Sequence, residues 1–403
     1  MKILLAHTYY QQPGGEDQSF AAEARMLAER GHEVERFELR NEALEGMNKL
    51  EAAARTVWNW SVARELKRVV ARFRPEVVHF TNTFPLISPA AYSAARSRGA
   101  AVVQSLRNYR QLCPSALLLR DGKVCEDCLG KWFAWPGVKH GCYRGSRAAT
   151  AVVAGMTAIH SALGTWSRKV DLYFTLTEFA RGRFVAAGWP AERIVVKPNF
   201  LDQDPGPGDG RGGYAVFVGR LSEEKGLSVL LDAWQTPGAK PPLKIIGQGP
   251  LEGEIDRRLA NLPSVERLGH RSSAETLEII GAASCLIMPS IWYETFGRTI
   301  MEAYAKGTPV IVSKLGAMAE LVRDGETGLL FPAGDAAKLA EGVARFAAEP
   351  ELQIRMRTVA RREFLDRYTA DRNHDLLLDV YRTALARAGG REVHRSAAAI
   401  EHL

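Results

Sequence analysis

Short apolar runs alternate along this chain with longer stretches in which apolar residues recur every third or fourth position, the pattern of strands followed by amphipathic helices. Lys2–Ala6 reads as a first strand, and a loop holding Pro13-Gly14-Gly15 follows. A helix from about Asp17 to Arg30 comes next, with Phe20, Ala24, Leu27 and Ala28 at core spacing and Gly31 to stop it. Further strands are predicted at His32–Leu39, Glu76–Phe80, Ala101–Gln104, Asp171–Leu176 and Ile194–Val196. Pro198 to Gly213, dense in Pro, Gly and Asp, reads as a linker. A second series then begins at Tyr214–Val218 and continues with Leu243–Ile246, Val265–Leu268, Cys285–Met288, Val310–Val312 and Gly328–Phe331. Such alternation predicts an α/β chain with doubly wound parallel sheets, whose ligands bind beyond the carboxyl ends of the strands.

The expected organisation is a Rossmann-like domain over residues 1–198, carrying a Cys-rich insertion at 107–147, and a second over 199–365. A helix over 366–388 crosses back to pack on the first domain, and 389–403 is a loose tail. A length of 403 residues favours two cores over one. Apolar residues at 46% and charged residues at 25% are those of a soluble globular protein. The formal charge of +7 is uneven: up to Lys197 there are 28 basic against 18 acidic residues, and beyond it 25 against 28. A basic first half and a near-neutral second half predict that one half meets an anionic surface. With no recognition motif and no aromatic interleaving, nucleic acid is not expected; contact with an anionic membrane face is. Met1–Ala6 is too short for a signal peptide, so a cytoplasmic location is expected, with the inner face of the plasma membrane as the place where the basic half would make contact.

The densest chemistry lies between Pro289 and Pro309, in a strand–loop–helix–strand unit. Gly297 lets the backbone approach a ligand, and the free amides of the helix behind it would hold an anion. Glu294 in the loop and Glu302 on the helix are eight residues apart. If most of that gap is helical they stand about 10–12 Å apart along the axis, too far for one acid/base pair but suited to an elongated ligand. The first strand of the second half leads into Gly219-Arg-Leu-Ser-Glu-Glu-Lys-Gly226, with Arg220 and Lys225 at a strand end just before a helix, where a diphosphate would collect. Gly247-Gln-Gly249-Pro250 and Gly269-His270-Arg271 are further glycine loops at strand ends, the latter placed to approach a flat base.

Other features leave alternatives open. Cys113, Cys125, Cys128 and Cys142, with one Cys-x2-Cys pair, either close a structural zinc site or remain reduced thiols in an irregular insertion. Ala148 to Trp166 carries no formal charge and reads as a core helix, with a helix lying on a membrane as the second reading. His79 either points into a cleft or is a satisfied loop histidine; Trp58 and Trp60 either stack on a sugar or pack.

Taken together, Pro-Ser-x3-Glu294-x-Phe296-Gly297-x4-Glu302-Ala and Gly219-x5-Lys225-Gly226 resemble the retaining glycosyltransferases of family 4. The resemblance implies the GT-B fold, two Rossmann-like domains facing across a cleft that closes over the donor. It implies that Arg220 and Lys225 bind the donor's diphosphate, that Glu302 takes the ribose hydroxyls, and that Glu294 with the amides of Phe296 and Gly297 holds the donor sugar. Gly15 would approach the phosphate from the facing domain. Many relatives carry a histidine where this chain has Arg107, which cannot act as a general base but can bind phosphate or acceptor. Catalysis would then be electrostatic stabilisation of the leaving diphosphate, with no metal cofactor required. The implied reaction moves a sugar from a UDP- or GDP-sugar to a lipid-linked or cell-envelope saccharide. A nucleotide-sugar epimerase on the same fold and a non-catalytic nucleotide-sugar binder are the alternatives.

Overall fold

The computed structural model describes residues 1–11 and 14–400, with side chains through 390. The chain divides into two units, one of residues 1–117, 126–197 and 373–403, the other of 118–125 and 198–372. Each is built on a six-stranded sheet whose recorded pairings are all parallel.

In the first unit the strands are β1 (Lys2–Tyr9), β2 (Glu33–Arg40), β3 (Val77–Asn82) and β4 (Ala101–Leu106). Strands β5 (Leu119–Arg120) and β6 (Lys123–Val124) form a small antiparallel hairpin in the other unit. The first sheet is completed by β7 (Leu172–Thr175) and β8 (Ile194–Val196), in the order β2-β1-β3-β4-β7-β8. Every residue of β3, β4 and β7 is buried, which is why they read as continuous apolar runs: helices cover both faces of a parallel sheet. The order reverses direction between β1 and β3, so their carboxyl ends open the crevice where such sheets bind ligands. A register shift between Ala6 and His7 against β3 sits at that end, where a bulge re-aims side chains.

The second sheet runs β11-β10-β9-β12-β13-β14, with β9 (Ala215–Val218), β10 (Leu243–Ile246), β11 (Val265–Gly269), β12 (Cys285–Met288), β13 (Val310–Ser313) and β14 (Gly328–Phe331). Phe217, Ile245, Ile287 and Ile311 are its buried centre. Here the reversal lies between β9 and β12, so the loop after Val218 and the loop after Met288 flank one crevice.

Two expectations change. The 198–213 segment is tied down within its own unit: Gly208 N donates to Lys306 O, Arg357 donates to Gly208 O at 2.8 Å, and Asp204 is ion-paired to Arg361. Its Pro and Gly content serves close packing, since a Cβ at Gly208 would lie 2.2 Å from Gly281 O. The last helix begins at Ala370 and runs to Ile400, through most of the segment read as a tail; residues 401–403 lie outside the described part. From Asn373 onward it belongs to the first unit, where Leu377, Tyr381 and Ala384 are fully buried.

Ala148–Trp166 forms the helix Arg147–Ala162, N-capped by Ser146, and then breaks at Gly164 in a left-handed conformation. Its Val153, Ala154, Met156 and Ala158 are buried, the core-helix reading. Among the described residues no helix is long and apolar enough to cross a membrane.

Candidate active site

In the second unit the β9 loop and the β12 loop meet. Lys225 Nζ is 2.7 Å from Glu294 Oε1, which also accepts from Ser290 Oγ at 2.9 Å. The ammonium lies over the Trp292 ring, 5.3 Å from its centroid. The backbones lock as well: Ile291 N donates to Glu224 O at 3.0 Å. Gly226 permits this approach, with φ of +69° and a position where a Cβ would stand 1.9 Å from Pro289 O. Alanine there is strained by both the backbone angle and the carbonyl; Gly226→Ala is expected to lower stability by about 2–4 kcal/mol. Urea unfolding read by Trp fluorescence checks it, and an unchanged midpoint would refute it.

Arg220 is exposed beside this pair, and among the described residues no ion pair engages it. Glu302 lies one turn into the helix Arg298–Ala305 and accepts from Arg298 Nε at 2.9 Å. Burial raises the Glu302 carboxyl above its usual range, against the opposing pull of Arg298. Arg298 Nη1 and Trp292 Nε1 are buried donors without a partner, both beside the glutamates. Because the helix starts only at Arg298, half of the gap between Glu294 and Glu302 is loop. Gly297 has φ of +80° at the helix start, a conformation glycine favours, whereas the Phe296 ring is turned inward, edge-on to Tyr368 at 5.8 Å. Gly219 sits at the end of β9 and donates to Ile246 O.

The remaining second-unit candidates have more structural surroundings. Gly249 N donates to Glu252 Oε1, and a Cβ there would stand 2.4 Å from Leu221 O, so close loop packing demands glycine. His270 is exposed and Arg271 half-buried, donating to His270 O, at the end of edge strand β11, two strands from the β9–β12 crevice.

In the first unit Gly14 precedes the helix Gly15–Glu29, whose first residue is Gly15; Pro13 lies outside the described residues. Gly14 N donates to Asp17 Oδ2, and Asp17 Oδ1 is 2.8 Å from His7 Nε2, tying the helix start to the end of β1. Beside it Tyr10 Oη and Asn108 Nδ2 both donate to Glu16.

Arg107 and His79 require correction. Arg107 does not present its charge to an acceptor: its side chain is 2% exposed, and Nη2 donates to Glu23 Oε1 at 2.8 Å. Lys197 Nζ donates to the same oxygen at 2.9 Å and to Asn373 Oδ1 at 2.8 Å. His79 is fully buried, with Nδ1 3.0 Å from Tyr381 Oη and Nε2 unpartnered. The apolar strand β3 carries it inward against Phe174, so it is a core histidine. Burial alone would raise the Glu23 carboxyl, but Lys197 and Arg107 bring it down to about 2. Burial lowers His79 from 6.5 to about 4.

A histidine held low stabilises the fold fully above its unfolded pKa and loses that contribution as pH falls through the folded one. His79 therefore costs up to about 3 kcal/mol between pH 6.5 and 4, because the unfolded chain takes up the proton first. His79→Gln, whose amide can still meet Tyr381, is expected to flatten the fall in urea midpoint across that window. Parallel pH profiles for the two proteins would refute this.

Trp58 stacks on His160 at 5.1 Å, the packing alternative, while Trp60 is 70% exposed. The zinc reading finds no support: among the described residues no three or more His, Cys, Asp or Glu side chains gather to hold a metal. Cys113 and Cys128 are buried, and Cys125 and Cys142 half-buried. Sequence reasoning missed Arg298, although its spacing of four from Glu302 is a helical pair signal. It also missed Ser290, Trp292 and the Glu16–Tyr10–Asn108 group.

Two Rossmann-like units with crevices of this kind define a class, the GT-B fold. Residues 14–199 match the family described as Glycosyl transferase 4-like domain, and residues 212–349 match Glycosyl transferases group 1. The two matches cover about four-fifths of the chain, which belongs to the GT-B glycosyltransferase family. Phosphatidyl-myo-inositol mannosyltransferase of Mycobacterium leprae is 34% identical over 239 residues, 57% of this chain; the chain spans only 63% of that relative. Sucrose-phosphate synthase from Thermosynechococcus elongatus is similar in fold, with a TM-score of 0.70 at 17% identity over 95% of this chain and 99% of its own. Anabaena HepE, solved with UDP-glucose, has a TM-score of 0.68 at 16% identity over 95% and 100% of the two chains.

Proposed function

We propose that the protein is a retaining family 4 glycosyltransferase that moves a sugar from a nucleotide-diphosphate donor, UDP-linked first and GDP-linked second, to a lipid-linked or cell-envelope saccharide. The observation that carries this is the meeting of Lys225 with Glu294 at the β9–β12 crevice, with the exposed Arg220 alongside. A donor diphosphate there takes the two cations and frees the Glu294 carboxylate for sugar hydroxyls. Glu302 faces the ribose, and the leaving diphosphate, stabilised by charge, takes the acceptor proton. This chemistry calls on no metal.

The lipid-linked acceptor is supported by the mannosyltransferase relative, whose name carries a phospholipid. It is supported also by Leu50, Trp60, Ile159 and Leu163 of the basic first unit, which are 84%, 70%, 45% and 49% exposed. These suit peripheral contact with anionic membrane.

The test is a thermal-shift comparison of UDP-, GDP- and ADP-sugars, followed by product NMR. One nucleotide sugar is expected to raise the melting temperature, because a ligand bound only by the folded state stabilises it. The product is expected to keep the donor's anomeric configuration. No shift with any donor, or an inverted product, would overturn the reading; an epimerised donor would favour the epimerase alternative.

A further inference from the structure

The Cys-rich insertion builds a hollow that the donor chemistry does not use. It lies in the first unit between the segment after β4 and the helix Arg147–Ala162, with Arg110, Gln111, Lys131, Trp132, Thr157 and Trp189 among its lining. Arg110 and Gln111 also line a second hollow, which reaches Asn82 and Asn108 at the carboxyl ends of β3 and β4. The two hollows thus adjoin at Arg110 and Gln111.

Its chemistry is cationic and aromatic. Arg110 lies over the Phe84 ring at 4.4 Å and the Tyr143 ring at 5.1 Å, two rings that meet edge to face at 5.8 Å, and one guanidinium nitrogen donates to Pro114 O. Among the described residues no carboxylate forms an ion pair with it. The two rings hold the guanidinium in place, and the Glu16 carboxylate is close enough to act on its charge without forming an ion pair. Gln111 Oε1 is buried without a hydrogen-bond partner, a further polar group unmatched within the protein. At the rim Trp132 is 74% exposed, next in sequence to Lys131. From Arg107 to Arg147 the sequence carries eight basic and three acidic residues, so the local field favours an anion.

We propose that this hollow is an acceptor subsite for an anionic saccharide, a sugar bearing a carboxylate or a phosphate. The charge meets Arg110 in bidentate fashion with Lys131 beside it, and the sugar ring lies against the Trp132 face. The term acceptor rests on the glycosyltransferase reading; the binding chemistry does not.

Calorimetry on the full chain with D-glucuronate, α-D-glucose 1-phosphate and methyl α-D-glucoside tests it. At least one acidic sugar is expected to bind about tenfold or more tightly than the neutral glucoside. Arg110→Gln is expected to abolish that preference, and Trp132→Ala, at an exposed position, to weaken binding of the acid with the fold unchanged. Glucuronate alone would identify a uronic acid, and the phosphate alone a sugar phosphate. Equal binding of acid and neutral sugar, or no response to either variant, overturns the proposal. So does an acid signal lost in Arg220→Gln and kept in Arg110→Gln, which would belong to the donor crevice. Donor hydrolysis by the wild-type chain is followed alongside. Hydrolysis without acid-selective binding removes the subsite alone, whereas no hydrolysis with any donor removes the glycosyltransferase reading.

Discussion

Lys225→Gln lowers turnover by about 10²–10³, with donor affinity falling less, because the lost charge acts most strongly on the departing diphosphate. The pairing with Glu294 at 2.7 Å sharpens the expectation. Removing the ammonium leaves a carboxylate that is 7% exposed and still accepts from Ser290, in the place where donor phosphate would arrive. Repulsion then adds to the loss of attraction. Glu294→Gln in the same chain relieves the repulsion but not the missing cation, so the double variant is expected to regain affinity more than turnover. Steady-state kinetics with the preferred donor separates these terms. Turnover within a factor of two of wild type in Lys225→Gln would remove that lysine from the chemistry.

Lys197→Met is the change with the largest expected effect on stability, about 3–5 kcal/mol, because it breaks a buried ion pair from one side. Lys197 is fully buried and stands 2.9 Å from Glu23 and 2.8 Å from Asn373, so the substitution takes one donor from a carboxylate and from an amide together. Arg107 remains on Glu23, so the carboxylate keeps one counter-ion and the loss should stay near the lower end. Glu23→Gln with Lys197→Met is expected to recover none of it, since Arg107 is then left buried without the Glu23 carboxylate. Urea unfolding of single and double variants measures the coupling, and additive losses would show that the two side chains act independently.

The sheets were legible in the sequence because buried parallel strands are largely apolar: the runs in β7, β12 and β13 need no partner to be recognised. The residues of the β9–β12 crevice were legible for a related reason. Arg220, Lys225 and Glu294 fall at strand ends, and in a doubly wound sheet strand ends are where ligands bind. Residues whose meaning depends on distant partners were not. Glu23 and Lys197 are 174 positions apart, and nothing local in either segment marks a buried ion pair. Arg107 was misread for the same reason, since a basic residue after a strand looks solvent-facing until Glu23 is folded beneath it. The cysteine spacing left a tetrahedral site and free thiols both open, because spacing permits such a site without requiring the chain to fold into one. The Pro/Gly-rich segment before β9 was legible as the join at which the two units divide, but its close packing against Gly281 was not, because glycine serves tight packing as readily as a turn.

The first unit is written at both ends of the chain. Asn373 completes the contacts of Lys197, Tyr381 those of His79, and Arg387 reaches Glu192 O at 2.6 Å. During synthesis the opening 197 residues leave the ribosome long before those partners exist, while the whole of 198–372 can settle as a body. The part of the protein made first is thus the part finished last. An expression boundary placed at residue 197 would strand a lysine and a histidine in an open apolar slot.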